Sequence, residues 1–127
     1  MKIAIISPNQ GHLQDMRKVL EARSHIVSLF EGGKSRMQWV VEQVAPDLLL
    51  VDGMCCEPQE LALVEKLTAR HPAIAVVLLC AMQTQEFLIH AMRAGVREVL
   101  PSPAAPAALE AAVERIALKM AGTQTRA

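Results

Sequence analysis

Five short apolar runs, each followed by a longer amphipathic stretch, dominate this 127-residue sequence and leave few folds open to it. Lys2-Ile3-Ala4-Ile5-Ile6-Ser7 is the first run, closed by Pro8 and Asn9. Residues 11–23 then carry Leu13, Met16, Val19 and Leu20 at the three- and four-residue spacing of a helix face. The unit returns at 25–30, where Gly32-Gly33 breaks the chain ahead of a helix face made of Met37, Val40, Val41 and Val44. Asp47-Leu48-Leu49-Leu50-Val51-Asp52 is the most strand-like run, short and uninterrupted between Pro46 and Gly53. A helix over 58–70 follows, with Pro58 in its first turn, where the missing N–H has no intrahelical partner to lose. Residues 74–80 supply a fourth strand, Thr84 caps a helix that runs to Ala94 and stops at Gly95, and 96–100 supply the fifth strand. Beyond Pro101-Ser102-Pro103 a last helix carries Leu109, Val113, Ile116 and Met120 on one face, and a polar tail begins at Gly122.

Strands separated by helices pair in parallel, with right-handed crossovers and helices on both faces. The expected architecture is therefore α/β, a flavodoxin-like (βα)5 three-layer sandwich whose five-stranded parallel sheet has the order 2-1-3-4-5. One domain spans 1–121, and 122–127 form a polar tail or the start of a linker. Hydrophobic residues make up 52% of the chain and aromatics only 2%, so the core is aliphatic. Thirteen Lys and Arg balance thirteen Asp and Glu, which leaves no excess charge for a phosphate backbone and argues against nucleic acid as a partner. No apolar run approaches the roughly 20 residues of a membrane-spanning helix, and Pro8 stops the first run too early for a signal peptide. Three cysteines, two of them adjacent, suit a reducing compartment, so a cytoplasmic protein without membrane insertion is expected.

In a sheet of this order, functional groups gather beyond the carboxyl ends of the strands. Here those ends are Ser7-Pro8-Asn9, Asp52-Gly53-Met54, Cys80-Ala81 and Ser102-Pro103. Pro46-Asp47-Leu48-Leu49-Leu50-Val51-Asp52 resembles the PDL-apolar-apolar-apolar-D run that ends in the phosphoacceptor aspartate of response-regulator receiver (CheY-like) domains. Ala94-Gly95-Val96-Arg97-Glu98-Val99-Leu100-Pro101-Ser102-Pro103 is similar to that family's AGA-x-x-YL-x-KP stretch. The resemblance implies a site of Asp52, Ser7, Pro8, Asn9, Cys80, Ser102 and Pro103, but one that departs from the family's pattern. Ser7 and Pro8 stand where two acidic residues would hold Mg²⁺, Cys80 stands at the switch Thr or Ser, Val99 at the switch aromatic and Ser102 at the phosphate-pairing Lys. Mg²⁺ demands oxygen ligands in near-octahedral array, and Asp52 with only Asn9 or a backbone carbonyl beside it is a poor site. The expectation is a degenerate receiver, not an enzyme, that works without phosphorylation, metal or cofactor. The alternative is a working phosphoacceptor of a two-component phosphorelay that uses Asp52.

Arg93-Ala94-Gly95-Val96-Arg97-Glu98-Val99-Leu100-Pro101 is more closely similar to the N-terminal atypical receiver domain of tight-adherence (Flp) pilus assembly proteins of the CpaE/TadZ type. That resemblance implies a protein-protein interaction role in pilus assembly or type II/IV secretion, with a fused or partner MinD/ParA-like ATPase domain, the pilus secretion machinery as a partner, and recruitment to the inner face of the membrane.

Helical spacing turns Ile89 and Met92 away from the inward stripe of Phe87, Ala91 and Ala94, and turns Leu118 away from the stripe of the last helix. Rimmed by Arg93, Arg97, Glu98, Glu114 and Arg115, these three have the composition of a homodimer interface. Trp39 falls across its helix from Met37, Val40 and Val44, either as an anchor for a partner or folded back over a neighbouring loop. Gly32-Gly33-Lys34-Ser35 offers a remote nucleotide-binding alternative, but lacks the glycine several residues ahead that lets backbone amides wrap phosphates. Cys55, Cys56 and Cys80 lack metal-knuckle spacing and read as structural. His12, His25, His71 and His90 are scattered and read as surface or helix-end residues.

Overall fold

The computed structural model describes residues 1–52 and 61–125. In chain order the elements are β1 (Lys2–Ser7), α1 (Gln10–Glu21), β2 (Ile26–Glu31), a 3-10 turn (Lys34–Arg36), α2 (Met37–Val44), β3 (Leu48–Asp52), α3 (Leu61–Arg70), β4 (Ala75–Cys80), α4 (Gln85–Arg93), β5 (Glu98–Pro101) and α5 (Pro106–Thr125). All five strands are parallel in the order β2-β1-β3-β4-β5, as expected from the sequence. Register runs straight across the middle of the sheet, with Ile5 opposite Leu50 and Leu50 opposite Val77.

A period of two along each strand sends alternate side chains to opposite helical layers. Ile3, Ile5, Leu48, Leu50, Val77 and Leu79 pack with Leu13, Met16 and Leu20 of α1 and Leu109, Val113 and Ile116 of α5. Ala4, Ile6, Leu49, Val51, Val76 and Leu78 pack with Met37, Val40 and Val41 of α2, Val64 and Leu67 of α3, and Phe87 and Ala91 of α4. Every residue of β3 is buried, because it lies at the centre of the sheet with helices over both faces. Each fully buried Leu or Ile in these layers contributes about 1.5–3 kcal/mol relative to exposure.

Element boundaries depart from the expected ones for identifiable reasons. β5 begins at Glu98 rather than at 96, because the Val96 N–H returns to the Ala91 carbonyl at the end of α4 and only the Arg97 N–H turns to β4, donating to Val76 O. Asp47 sits just ahead of β3, where its carboxylate accepts from the Lys2 N–H at 3.0 Å. Thr84 caps α4 as expected, its Oγ1 accepting from the Phe87 N–H at 3.1 Å. Gly95 has φ +93, in the left-handed region that closes helices. α2 stops instead at a left-handed alanine, Ala45, immediately before Pro46. The backbone of α5 stays helical to Thr125, beyond the expected end at 121. Pro58 lies outside the described residues, and α3 is described from Leu61. Among the described residues no helix is long and apolar enough to cross a membrane.

Candidate functional site

Asp52 ends the central strand and is only 3% exposed, yet its carboxylate is fully engaged. Three side chains from three elements converge on it. Ser7, the last residue of β1 and itself fully buried, places Oγ 2.8 Å from Asp52 Oδ2. The same Oγ accepts the Asn9 N–H at 3.0 Å, which fixes the hydroxyl so that its hydrogen is directed to the carboxylate. Ser102, in the loop after β5, places Oγ 2.5 Å from Oδ1, and its N–H donates to the Cys80 carbonyl at 3.1 Å, which sets the loop against β4.

The third partner is His12, whose Nδ1 stands 2.7 Å from Asp52 Oδ2. His12 is the third residue of α1, and Asn9 is its N-cap, with Oδ1 accepting the His12 N–H at 3.1 Å. Side chains in a helix lean towards its N-terminus. A residue in the first turn of α1 therefore leans over the carboxyl ends of β1 and β3. Facing an ionised carboxylate, Nδ1 carries the proton and donates it.

Burial raises the Asp52 pKa, but hydrogen bonds from Ser102, His12 and Ser7 and the nearby charge of His12 more than offset it, holding the carboxyl below its ordinary value. Over the carboxylate lies a cleft of about 40 Å³ lined by His12, Asp15, Met16, Leu79, Pro103 and Ala104. Its volume is comparable to one water's share of the liquid, roughly 30 Å³.

These residues do not fit Mg²⁺. Both Asp52 oxygens are occupied by donors, Pro8 is exposed with no side-chain oxygen to offer, and the Asn9 side chain is committed to capping α1. Among the described residues no group of three His, Cys, Asp or Glu is placed to hold a metal ion. The positive arm is likewise a neutral hydroxyl at Ser102.

Of the residues expected at the site, Asp52, Ser7 and Ser102 meet directly, Pro103 walls the cleft, and Asn9 acts through its backbone and as a cap. Cys80 is fully buried with its side chain in the apolar layer of α2, α3 and α4, and it joins the site through its carbonyl. The Ser102–Pro103 peptide is cis. His12 sits at a helix end, as read, and is in addition a direct partner of Asp52, a role that reading did not include. His25 stands just beyond the end of α1 and is partly exposed, as read, though its Nδ1 is enclosed and unpartnered and its pKa is lowered by burial, the N-terminal amine and Arg23. Cys55 and Cys56 lie outside the described residues.

Elsewhere, Ile89, Met92 and Leu118 are exposed by 46, 51 and 68%. Arg93 and Arg97 are exposed beside them, and Arg115 makes two hydrogen bonds to Glu98, at 3.1 and 2.6 Å. Trp39 folds back on its surroundings, edge-on to Phe30 at 5.9 Å with the Arg36 guanidinium 5.2 Å from its ring centre. Gly32–Ser35 leads into a single 3-10 turn at the end of edge strand β2, with Arg36 folded against Gly32 and β1 lying between this turn and Asp52.

A sheet in this order with a buried aspartate ending its central strand defines a receiver-type α/β domain. The chain belongs to the response regulator receiver domain family, whose sequence profile matches residues 3–114. It is 26% identical over 113 residues to the transcriptional regulatory protein ZraR of Escherichia coli, a match that covers 89% of this chain and 25% of ZraR. The chain thus spans about a quarter of that curated relative. Among solved structures it is similar to a pilus assembly-related protein of Burkholderia pseudomallei, with 30% identity, a TM-score of 0.80 and coverage of 91% of this chain and 88% of that one. A pilus assembly protein, CpaE, of Burkholderia thailandensis matches at 32% identity and TM-score 0.79, over 91% of this chain and 96% of that one.

Proposed function

We propose that this receiver domain is a non-catalytic, phosphorylation-independent interaction module that serves pilus assembly. One observation carries the proposal. The Asp52 carboxylate is held by two hydroxyls and an imidazole, so the surroundings that would gather a metal and a phosphoryl group are replaced by an internal hydrogen-bonded tie. Phosphoryl transfer depends on positioning and on neutralising developing charge, and Ser7, Pro8 and Ser102 supply neither a metal cage nor a cation. The domain then acts through its surfaces: Ile89, Met92, Arg93, Arg97 and Leu118 form the face for a homodimer. Similarity to the two Burkholderia pilus proteins supports the cellular setting. In that setting the domain works in the cytoplasm beside a fused or partnering MinD/ParA-like ATPase and is drawn with the pilus secretion machinery to the inner face of the membrane.

Incubation with Mg²⁺ and acetyl phosphate, followed by intact mass measurement, tests the central point. The mass is expected to stay unchanged. A phosphoryl adduct that disappears in Asp52→Ala would establish the second reading, a working phosphoacceptor, which the position of Asp52 at the end of the central strand favours.

A further inference from the structure

The geometry points to a second docking surface, between α2 and α3, that takes an acidic amphipathic helix from another protein. A cleft of about 480 Å³ opens between these helices, floored by the buried Met37 and Leu67. Leu63 stands in its wall and is 47% exposed. Lys66, Arg70 and His71 line the same wall. Lys66 and Arg70 are one helical turn apart, so their charges stand side by side along the groove. Among the described residues neither is in an ion pair, and no carboxylate lines the cleft. Glu65 of the same helix lines a different cleft, facing α4. Gln38, across the cleft on α2, turns its amide to Glu42 at 3.1 Å.

Charge complementarity names the occupant. An apolar contact at Leu63 flanked by two unpaired cations fits a helix presenting an aliphatic side chain between carboxylates one turn apart. Nucleic acid fits less well, because two cations and a histidine make no lane for successive phosphates and the whole chain has equal numbers of acidic and basic residues. This surface goes beyond the self-association proposed above, since none of Ile89, Met92 and Leu118 lines it.

The test is an NMR titration of the full chain with an alanine-based peptide of about 15 residues, long enough to form a helix, with Leu set between Glu residues one turn apart. Amide shifts are expected to concentrate at 37–38 and 63–71, with affinity falling as salt rises. The double variant Lys66→Glu/Arg70→Glu, exposed positions whose folding the same spectra verify, should bind at least about tenfold more weakly. Its sedimentation should match that of the unaltered chain, which separates this surface from the dimer face. Equal binding of a peptide with Lys in place of Glu, shifts centred elsewhere, no shifts at about 1 mM peptide, or a short DNA duplex binding as well as the peptide would each overturn the proposal.

Discussion

Replacing Asp52 with alanine should destabilise this domain by about 2 kcal/mol at neutral pH, and the sign matters more than the size. Where several carboxylates crowd one site, each raises the energy of the others and deleting one relieves the fold. Among the described residues Asp52 has no such neighbour in contact; its partners there are Ser7, Ser102 and His12. Hydrogen bonds to a charged group contribute about 1.5–3 kcal/mol each, so three give roughly 4.5–9 kcal/mol before any opposing term. Against this stands the desolvation of a carboxylate that is 3% exposed, several kcal/mol per buried ion. Water can also satisfy His12, which is 29% exposed, once the carboxylate is gone, and the fully buried Ser7 hydroxyl is left with only the more distant Asn9 carbonyl, at 3.3 Å, as acceptor. The remainder is near 2 kcal/mol, equivalent to about 6–10 °C in Tm for a chain of this length. Urea unfolding of wild type and Asp52→Ala across pH measures it. The folded-state pKa of Asp52 lies below that of an ordinary aspartate, so its contribution is complete above the ordinary value and is lost as pH falls through the lower, folded-state pKa. The two unfolding curves should therefore converge in acid. A variant as stable as wild type at pH 7, or a gap that persists unchanged to pH 2, would refute the account of the site.

Two further substitutions probe other parts of the molecule. Leu118→Glu should abolish the proposed self-association in sedimentation experiments while leaving the fold intact, because in such a dimer a glutamate on that face would be buried without a partner; identical sedimentation of variant and wild type would count against this face as an interface. Gly95→Ala should destabilise by about 2–3 kcal/mol, through a left-handed backbone and a Cβ placed 2.8 Å from Thr68 Oγ1. Pairing it with Thr68→Ala in a double-mutant cycle should recover the steric share, whereas strict additivity would mean the contact is harmless.

Most of the fold was legible because apolar spacing turns from the period of a strand to that of a helix five times, each time at a Pro, Gly or capping residue. β3 could be located from Asp47 to Asp52 alone, and with it the acidic end of the sheet. Ser7 and Ser102 could be placed at the site through the family's pattern, but that pattern presents them as losses, whereas in three dimensions they are donors. His12 was illegible as a partner because nothing in linear spacing ties it to Asp52, forty residues away. A signal did exist: Asn directly before an apolar-periodic stretch is an N-cap, and the third residue after it leans over the strand ends. Reading Asn9 as a potential oxygen ligand hid that cue. Val96 is of a residue type that favours strands, yet the hydrogen bond that holds it belongs to the end of α4.

The setting of Trp39 has an optical consequence. The chain has one tryptophan and no tyrosine, so its near-ultraviolet emission comes from a single indole. That indole is 48% exposed, with Phe30 at its edge and Arg36 over its face. Emission therefore begins from a partly hydrated ring and shifts little on global unfolding. Its intensity follows the Phe30 and Arg36 contacts, so it reports any loss of the β2–α2 corner, local or global, and is silent for changes confined to the far side of the sheet, where α5 lies.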